Sequence, residues 1–150
     1  MGTDRTYLAD TNILFDYCDP ARPEHQLAVQ LVEGAAASPD IHLCTLVSSL
    51  KDVYYVLGRL YKDEQKARRA VQLLMENCFE VVDLLAAYGF GAVRSDEPDF
   101  EDGLVRMAAE SLRVDAIISR DERAFAKSPV RKLTLQEAVG ELCGQDAPYH

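Results

Sequence analysis

Four aspartates recur at one kind of place in the chain, and that recurrence constrains the fold more than any other feature. Asp10 ends an extended apolar run that begins at Thr6. The chain then turns on Thr11 and Asn12 and resumes helix-like apolarity at Ile13, Leu14 and Phe15. Asp52, Asp102 and Asp121 each follow a strand-like run or stand at the mouth of a helix-like one. Turns and helix starts favour Asp on their own account. Four equivalent placements instead fit one site at the carboxyl edge of an open α/β sheet, where such sheets bind ligands.

The rest of the pattern alternates in the same sense. Residues 13–17 predict a short helical turn that Asp19-Pro20 ends, because the residue before proline avoids the helical region. A helix over 24–37 follows, with Leu27, Ala28, Leu31, Val32 and Ala35 on one face, and residues 41–47 predict a strand. Ser48 or Ser49 is expected to cap a helix carrying a stripe of Leu50, Val53, Tyr54, Leu57, Leu60 and Tyr61, with Asp52 off the stripe in its first turn. An acid there also complements the helix dipole, which is its bland explanation.

A helix over 63–77 presents Lys62, Lys66 and Arg69 outward, a basic face read as solvated rather than phosphate-binding, and residues 79–84 predict a strand. Residues 85–93 form a short helix despite Gly89 and Gly91. The acidic run 95–102 then caps a helix facing inward through Phe100, Leu104, Met107, Ala108 and Leu112. A strand over 114–119, a short helix over 122–126, an edge strand over 130–134, a closing helix over 135–142 and a tail over 144–150 complete the reading. Such alternation demands parallel strands joined by crossovers, and therefore one α/β domain over 1–150.

Composition narrows the function. A chain of this length buries roughly 68–70% of its unfolded surface and folds without staples. Neither a run of ~18 apolar residues nor a signal-peptide pattern opens it, so a soluble, cytoplasmic protein is expected. Cys18, Cys44, Cys78 and Cys143 are widely spaced and are read as reduced thiols, and His25, His42 and His150 are too scattered for a histidine metal site. The net charge of −9 argues against a broad electrostatic footprint on nucleic acid. It leaves nucleic acid open as a substrate, because cations gathered by acids invert the local field. Oxygen-only ligands suit Mg²⁺ or Mn²⁺, and those ions suit phosphate chemistry.

Leu8-Ala9-Asp10-Thr11-Asn12, Ser48-Ser49-Leu50-Lys51-Asp52, Asp99-Phe100-Glu101-Asp102-Gly103 and Ile117-Ile118-Ser119-Arg120-Asp121 with Phe125 together resemble the PIN-domain (PilT N-terminus) ribonucleases, which include the toxins of VapC-type toxin–antitoxin pairs. The resemblance spans nearly the whole chain. It implies a single α/β/α sandwich around a four- or five-stranded, mostly parallel sheet. It also implies a Mg²⁺ or Mn²⁺ site of Asp10, Asp52, Asp102 and Asp121, with Thr11, Asn12 and Ser119 orienting ligands or substrate. The implied activity is RNA phosphodiester hydrolysis, and the implied partners are an antitoxin protein and a second copy of the chain, with Tyr54, Tyr55 and Tyr61 as candidate surface. Two positions depart from the family pattern: Asp52 stands where Glu is frequent, and Gly103 where Ala is common.

Two other readings stand beside this one. Asp10-Thr11-Asn12 is similar to the nucleophilic aspartate motif of haloacid-dehalogenase-like phosphatases, but Asn12 occupies the place of their second Asp. A degenerate PIN module that binds RNA or a protein without cutting is the non-enzymatic alternative.

Overall fold

The computed structural model describes residues 4–144, with side chains through Leu142. Five strands form one parallel sheet: β1 (Arg5–Ala9), β2 (Ile41–Leu46), β3 (Glu80–Val82), β4 (Ala116–Ile118) and β5 (Lys132–Leu133), in the spatial order β3-β2-β1-β4-β5. The chain builds outward from β1 to β3, then crosses to the other side of β1 for β4. This reversal leaves a crevice at the carboxyl ends of β1 and β4, the place where open parallel sheets hold ligands.

Strand alternation sorts the core into two layers. Tyr7, Ala9, Leu43, Ile118 and Leu133 pack with α1 (Thr11–Cys18), α2 (His25–Ala36), α3 (Val47–Tyr61), α4 (Glu64–Leu73) and α7 (Leu135–Val139). Leu8, Cys44, Leu46 and Ile117 face the opposite way, onto α5 (Ala86–Arg94) and α6 (Phe100–Leu112). The result is the expected α/β/α sandwich. No helix among the described residues is long and apolar enough to cross a membrane.

Several boundaries differ from expectation for local reasons. Helix α3 starts at Val47 with Leu46 as an uncapped N-terminus, so Ser49 is buried inside the helix and Asp52 lies in its second turn. Leu60, expected on the buried stripe, is 61% exposed, because the inward face narrows to Leu50, Val53 and Leu57. On α6, Phe100 and Leu112 are exposed, and Val105 and Ala109 fill the core instead.

Helix α4 starts after the cap Asp63, whose side chain accepts the Lys66 N–H, and runs on through a π-helical turn to Cys78. Arg68 pairs with Glu64 and Lys66 lies over the Tyr61 ring, as befits a solvated basic face. The closing helix also ends in a π-helical turn, Gly140–Gly144. Residues 145–150 of the expected tail, and the Cys143 side chain, lie outside the described residues. Cys18, Cys44 and Cys78 are free thiols.

The segment 122–126 is a turn rather than the expected helix. Asp121 Oδ1 accepts the N–H groups of Arg123 (2.9 Å) and Ala124 (3.2 Å) as a helix N-cap does, but the Phe125 N–H goes to Glu97 at 2.7 Å and the helix does not propagate. Phe125 then adopts a left-handed conformation with φ of 66° while burying its ring.

Candidate active site

Parallel pairing of Leu8 with Ile117 and Ala9 with Ile118 brings the ends of β1 and β4 level. The Asp10 N–H extends the ladder to the Ile118 carbonyl at 3.0 Å, and the Ser119 N–H reaches the Leu133 carbonyl at 2.9 Å. The side chains of Asp10 and Ser119 therefore emerge side by side, and Ser119 Oγ donates to Asp10 Oδ2 at 3.0 Å. Asp10 Oδ1 accepts the Thr11 N–H at 2.8 Å, so the same carboxylate caps α1. Ser119 Oγ also accepts the Asp121 N–H at 3.1 Å, tying the second acid of the seam to the first.

The opposite wall comes from α3 and α6. Asp52 enters from α3, with Lys51 Nζ 3.7 Å from its Oδ1, and Asp102 enters from the first turn of α6, almost fully buried. All four predicted acids line one cleft of about 410 Å³, together with Thr11 and Asn12. Ser119 stands behind it, fixing Asp10 and Asp121.

The cleft also contains Asp99 and Glu101, both absent from the predicted set. Asp99 caps α6 by accepting the Asp102 N–H at 2.8 Å, and is thus the capping residue within the acidic run 95–102. Glu101 lies 3.1 Å from the Thr11 hydroxyl, which in turn lies 2.8 Å from Ser49 Oγ. Thr11 has one hydroxyl proton; donating it to Glu101 leaves its lone pairs to Ser49. Their signal in the sequence was the density of acids from Asp96 to Asp102.

Six carboxylates crowd one cleft. Burial pushes Asp102 up to about 7, aided by the charges of Asp99, Asp10 and Asp121. Burial also pushes Glu101 up to about 7, with a hydrogen bond to Asp52 and the Asp52 charge acting in the same direction against the Thr11 hydroxyl. Asp10 is raised by burial, opposed by its bonds to Thr11 and Ser119. Asp121 alone is lowered, chiefly by the Arg123 N–H.

Among the described residues no three acids, histidines or cysteines are drawn together closely enough to hold a metal ion. The donor chemistry nonetheless fits a hard divalent cation. Every ligating group in the cleft is oxygen, and burial, aided by neighbouring charges, raises groups that a cation would return to the charged state. Among the described residues no histidine takes part: His25 Nδ1 meets the Asp16 carbonyl, and His42 sits between Asp4 and Glu80.

The fold is similar to several solved structures. A toxin–antitoxin complex from Klebsiella pneumoniae matches with 24% identity and a TM-score of 0.62, over 86% of this chain and 97% of that one. Mycobacterium tuberculosis VapC20, a sarcin–ricin loop cleaving toxin, matches with 19% identity and a TM-score of 0.62, over 77% and 90%. PAE2754 from Pyrobaculum aerophilum matches with 16% identity and a TM-score of 0.67, over 97% and 99%. At these identities the likeness establishes the fold. No curated protein matches the chain. The PIN domain model matches residues 6–123, and the chain belongs to the PIN-domain family.

Proposed function

We propose that the chain is a metal-dependent endoribonuclease acting in the cytoplasm as the toxin of a toxin–antitoxin pair. The observation that carries this reading is the convergence of Asp10, Asp52, Asp102 and Asp121 on one oxygen-only cleft at the β1/β4 crevice. Family membership and the toxins among the structural neighbours support it.

In this account Asp10, Asp52, Asp102 and Asp121 hold Mg²⁺ or Mn²⁺, which when bound supplies Lewis acidity and charge neutralisation at a phosphodiester. The protein's own part is preorganisation. Ser119 and the Thr11 N–H fix both oxygens of Asp10. The 122–126 turn holds Asp121, and Lys132 Nζ, bonded to the Asp121 and Ala124 carbonyls, pins that turn. Burial, together with Asp52 across the cleft, pushes Glu101 up to about 7, which places an exchangeable proton beside the cleft. Thr11 and Asn12 border the cleft where they can orient substrate.

Purified protein with single-stranded RNA and Mn²⁺, against an EDTA control and a small phosphate ester, tests the reading. Metal-dependent RNA cleavage without ester hydrolysis is expected. Release of phosphate from the ester supports the phosphatase alternative, and binding without any turnover supports the degenerate module.

We further propose that an antitoxin protein covers the acidic cleft and that two copies pair through α3, where Tyr55, Val56 and Leu60 are exposed. Tyr54 is engaged with Glu64 and Tyr61 with Lys66, which leaves Tyr55 as the aromatic of that face. Scattering mass for wild type and Tyr55→Glu checks the pairing; a monomeric wild type contradicts it.

A further inference from the structure

Beside the acidic cleft, two arginines share one buried carboxylate. Asp16, on α1, is fully buried. Arg22 Nη1 approaches its Oδ1 at 3.4 Å and Arg120 Nε its Oδ2 at 3.3 Å. Neither guanidinium is consumed by this anchorage. Asp16 Oδ2 has no aligned hydrogen-bond donor, so Arg120 is held by charge, and among the described residues it makes no other ion pair or side-chain hydrogen bond. Arg22 adds a looser approach to Asp19 at 3.9 Å and lies 5.2 Å over the Phe15 ring.

Position links both arginines to the cleft. Arg120 stands between Ser119, which bonds Asp10, and Asp121, which lines the cleft; Phe15, under Arg22, lines it too. Both side chains are about a third exposed, at 38% and 31%. By contrast, Arg68 and Lys66 on α4 are engaged on their own helix surface, and neither stacks on, nor adjoins in sequence, a residue that lines the cleft. A chain of net charge −9 needs local cations to hold a polyanion, and arginine forks match phosphate oxygens bidentately. Forks already held by a buried partner lose less freedom on binding.

We propose that Arg120 and Arg22, tethered together by Asp16, grip a backbone phosphate of single-stranded RNA next to the phosphodiester that lies over the carboxylates. The proposal rests on the ribonuclease reading and adds the residues that seat its substrate.

The test uses full-length Asp10→Asn protein as parent, with Mg²⁺ and a fluorescent single-stranded oligoribonucleotide titrated over a range of salt. Arg120→Gln and Arg22→Gln are each expected to weaken binding about tenfold and to reduce the salt slope by about 0.7, one single-strand phosphate contact. Arg120→Lys, which keeps a charge against Asp16, restores most of the slope and serves if Arg120→Gln folds poorly. On the wild-type background the same substitutions raise KM by a larger factor than they lower kcat.

A lowered Tm with unchanged affinity and slope would show the arginines to be partners of Asp16 and nothing more. Absence of RNA binding by the parent overturns the proposal as well. The two readings separate cleanly. If wild type cuts no RNA but the arginine variants lose binding, the nuclease reading fails and the clamp stands; if wild type cuts and the variants bind unchanged, the clamp alone fails.

Discussion

Ser119 joins Asp10 across the seam between β1 and β4: its buried hydroxyl donates to Asp10 Oδ2 at 3.0 Å while accepting the Asp121 N–H at 3.1 Å. One hydroxyl thereby sets the spacing of two acids that are 111 positions apart in the chain, and does so only because parallel pairing brings both strand ends level.

Ser119→Ala removes that link and leaves the Asp121 N–H without its acceptor. A loss of about 1–3 kcal/mol in stability is expected. Divalent cation affinity should fall about 10–100-fold, as when a ligand loses its supporting hydrogen bond. Calorimetric titration with Mn²⁺ reads the second effect; an unchanged affinity would remove Ser119 from the site.

The raised acids predict a pH signature. Glu101 and Asp102 are both pushed up to about 7, above their unfolded values, so the folded state holds the extra protons. Between about pH 4 and 7 these two groups therefore make the metal-free protein less stable as pH rises. Asp121 acts in the opposite sense: its carboxyl is lowered, and its contribution, present above the ordinary Asp range, is lost as pH falls through the folded value. Because a cation competes with the two protons, Mn²⁺ should raise Tm more at about pH 8 than at about pH 6. Equal increments at both would mean that neither acid senses the ion.

Gly103 explains one departure from the family pattern. A Cβ there would lie 2.7 Å from Ala92 Cβ and 2.9 Å from its Cα, so α5 and α6 approach through a glycine. Gly103→Ala should cost about 1–3 kcal/mol by forcing the helices apart. Ala92→Gly in the same chain should recover part of it. A Gly103→Ala protein that melts with wild type would show the approach to be loose.

Arg106 is the partner of a buried acid remote from the cleft. Its Nη1 reaches Glu97 at 3.1 Å and its Nε reaches Glu110 at 2.7 Å, while Glu97, 2% exposed, accepts the Phe125 N–H at 2.7 Å. Arg106→Ala leaves Glu97 buried and unpaired and loosens the turn that follows Asp121. A loss of about 3 kcal/mol is expected, with cleavage reduced as well. Denaturant unfolding measures the first, and a loss under about 0.5 kcal/mol would contradict it.

Strand ends were legible in the sequence because apolar runs closing on Asp10 and Ser119-Arg120-Asp121 leave few alternatives. The sheet, its parallel sense and the cleft address of the four acids followed from that. What escaped depended on tertiary packing or on side chains taking backbone partners. Ser48 and Ser49 looked like caps, yet α3 starts earlier and buries Ser49 near Thr11. Ala124, Phe125 and Ala126 looked helical, but the Phe125 N–H is taken by Glu97 and Phe125 turns left-handed, so the helix that Asp121 could cap does not propagate. Glu101 was hidden among neighbouring acids, and nothing local distinguishes Asp16, on the short helix α1, from a surface acid; only the folded chain shows it buried between two arginines.

The most direct measurement is cleavage of single-stranded RNA with Mn²⁺ by wild type and by Asp10→Asn, each with a melting curve. Asp10 meets Ser119 and Thr11 through both oxygens, and Asn keeps the shape while removing the charge. The account predicts cleavage by wild type, none by the variant, a folded variant, and a metal-induced rise in Tm that the variant lacks. Undiminished cleavage by folded Asp10→Asn would contradict it.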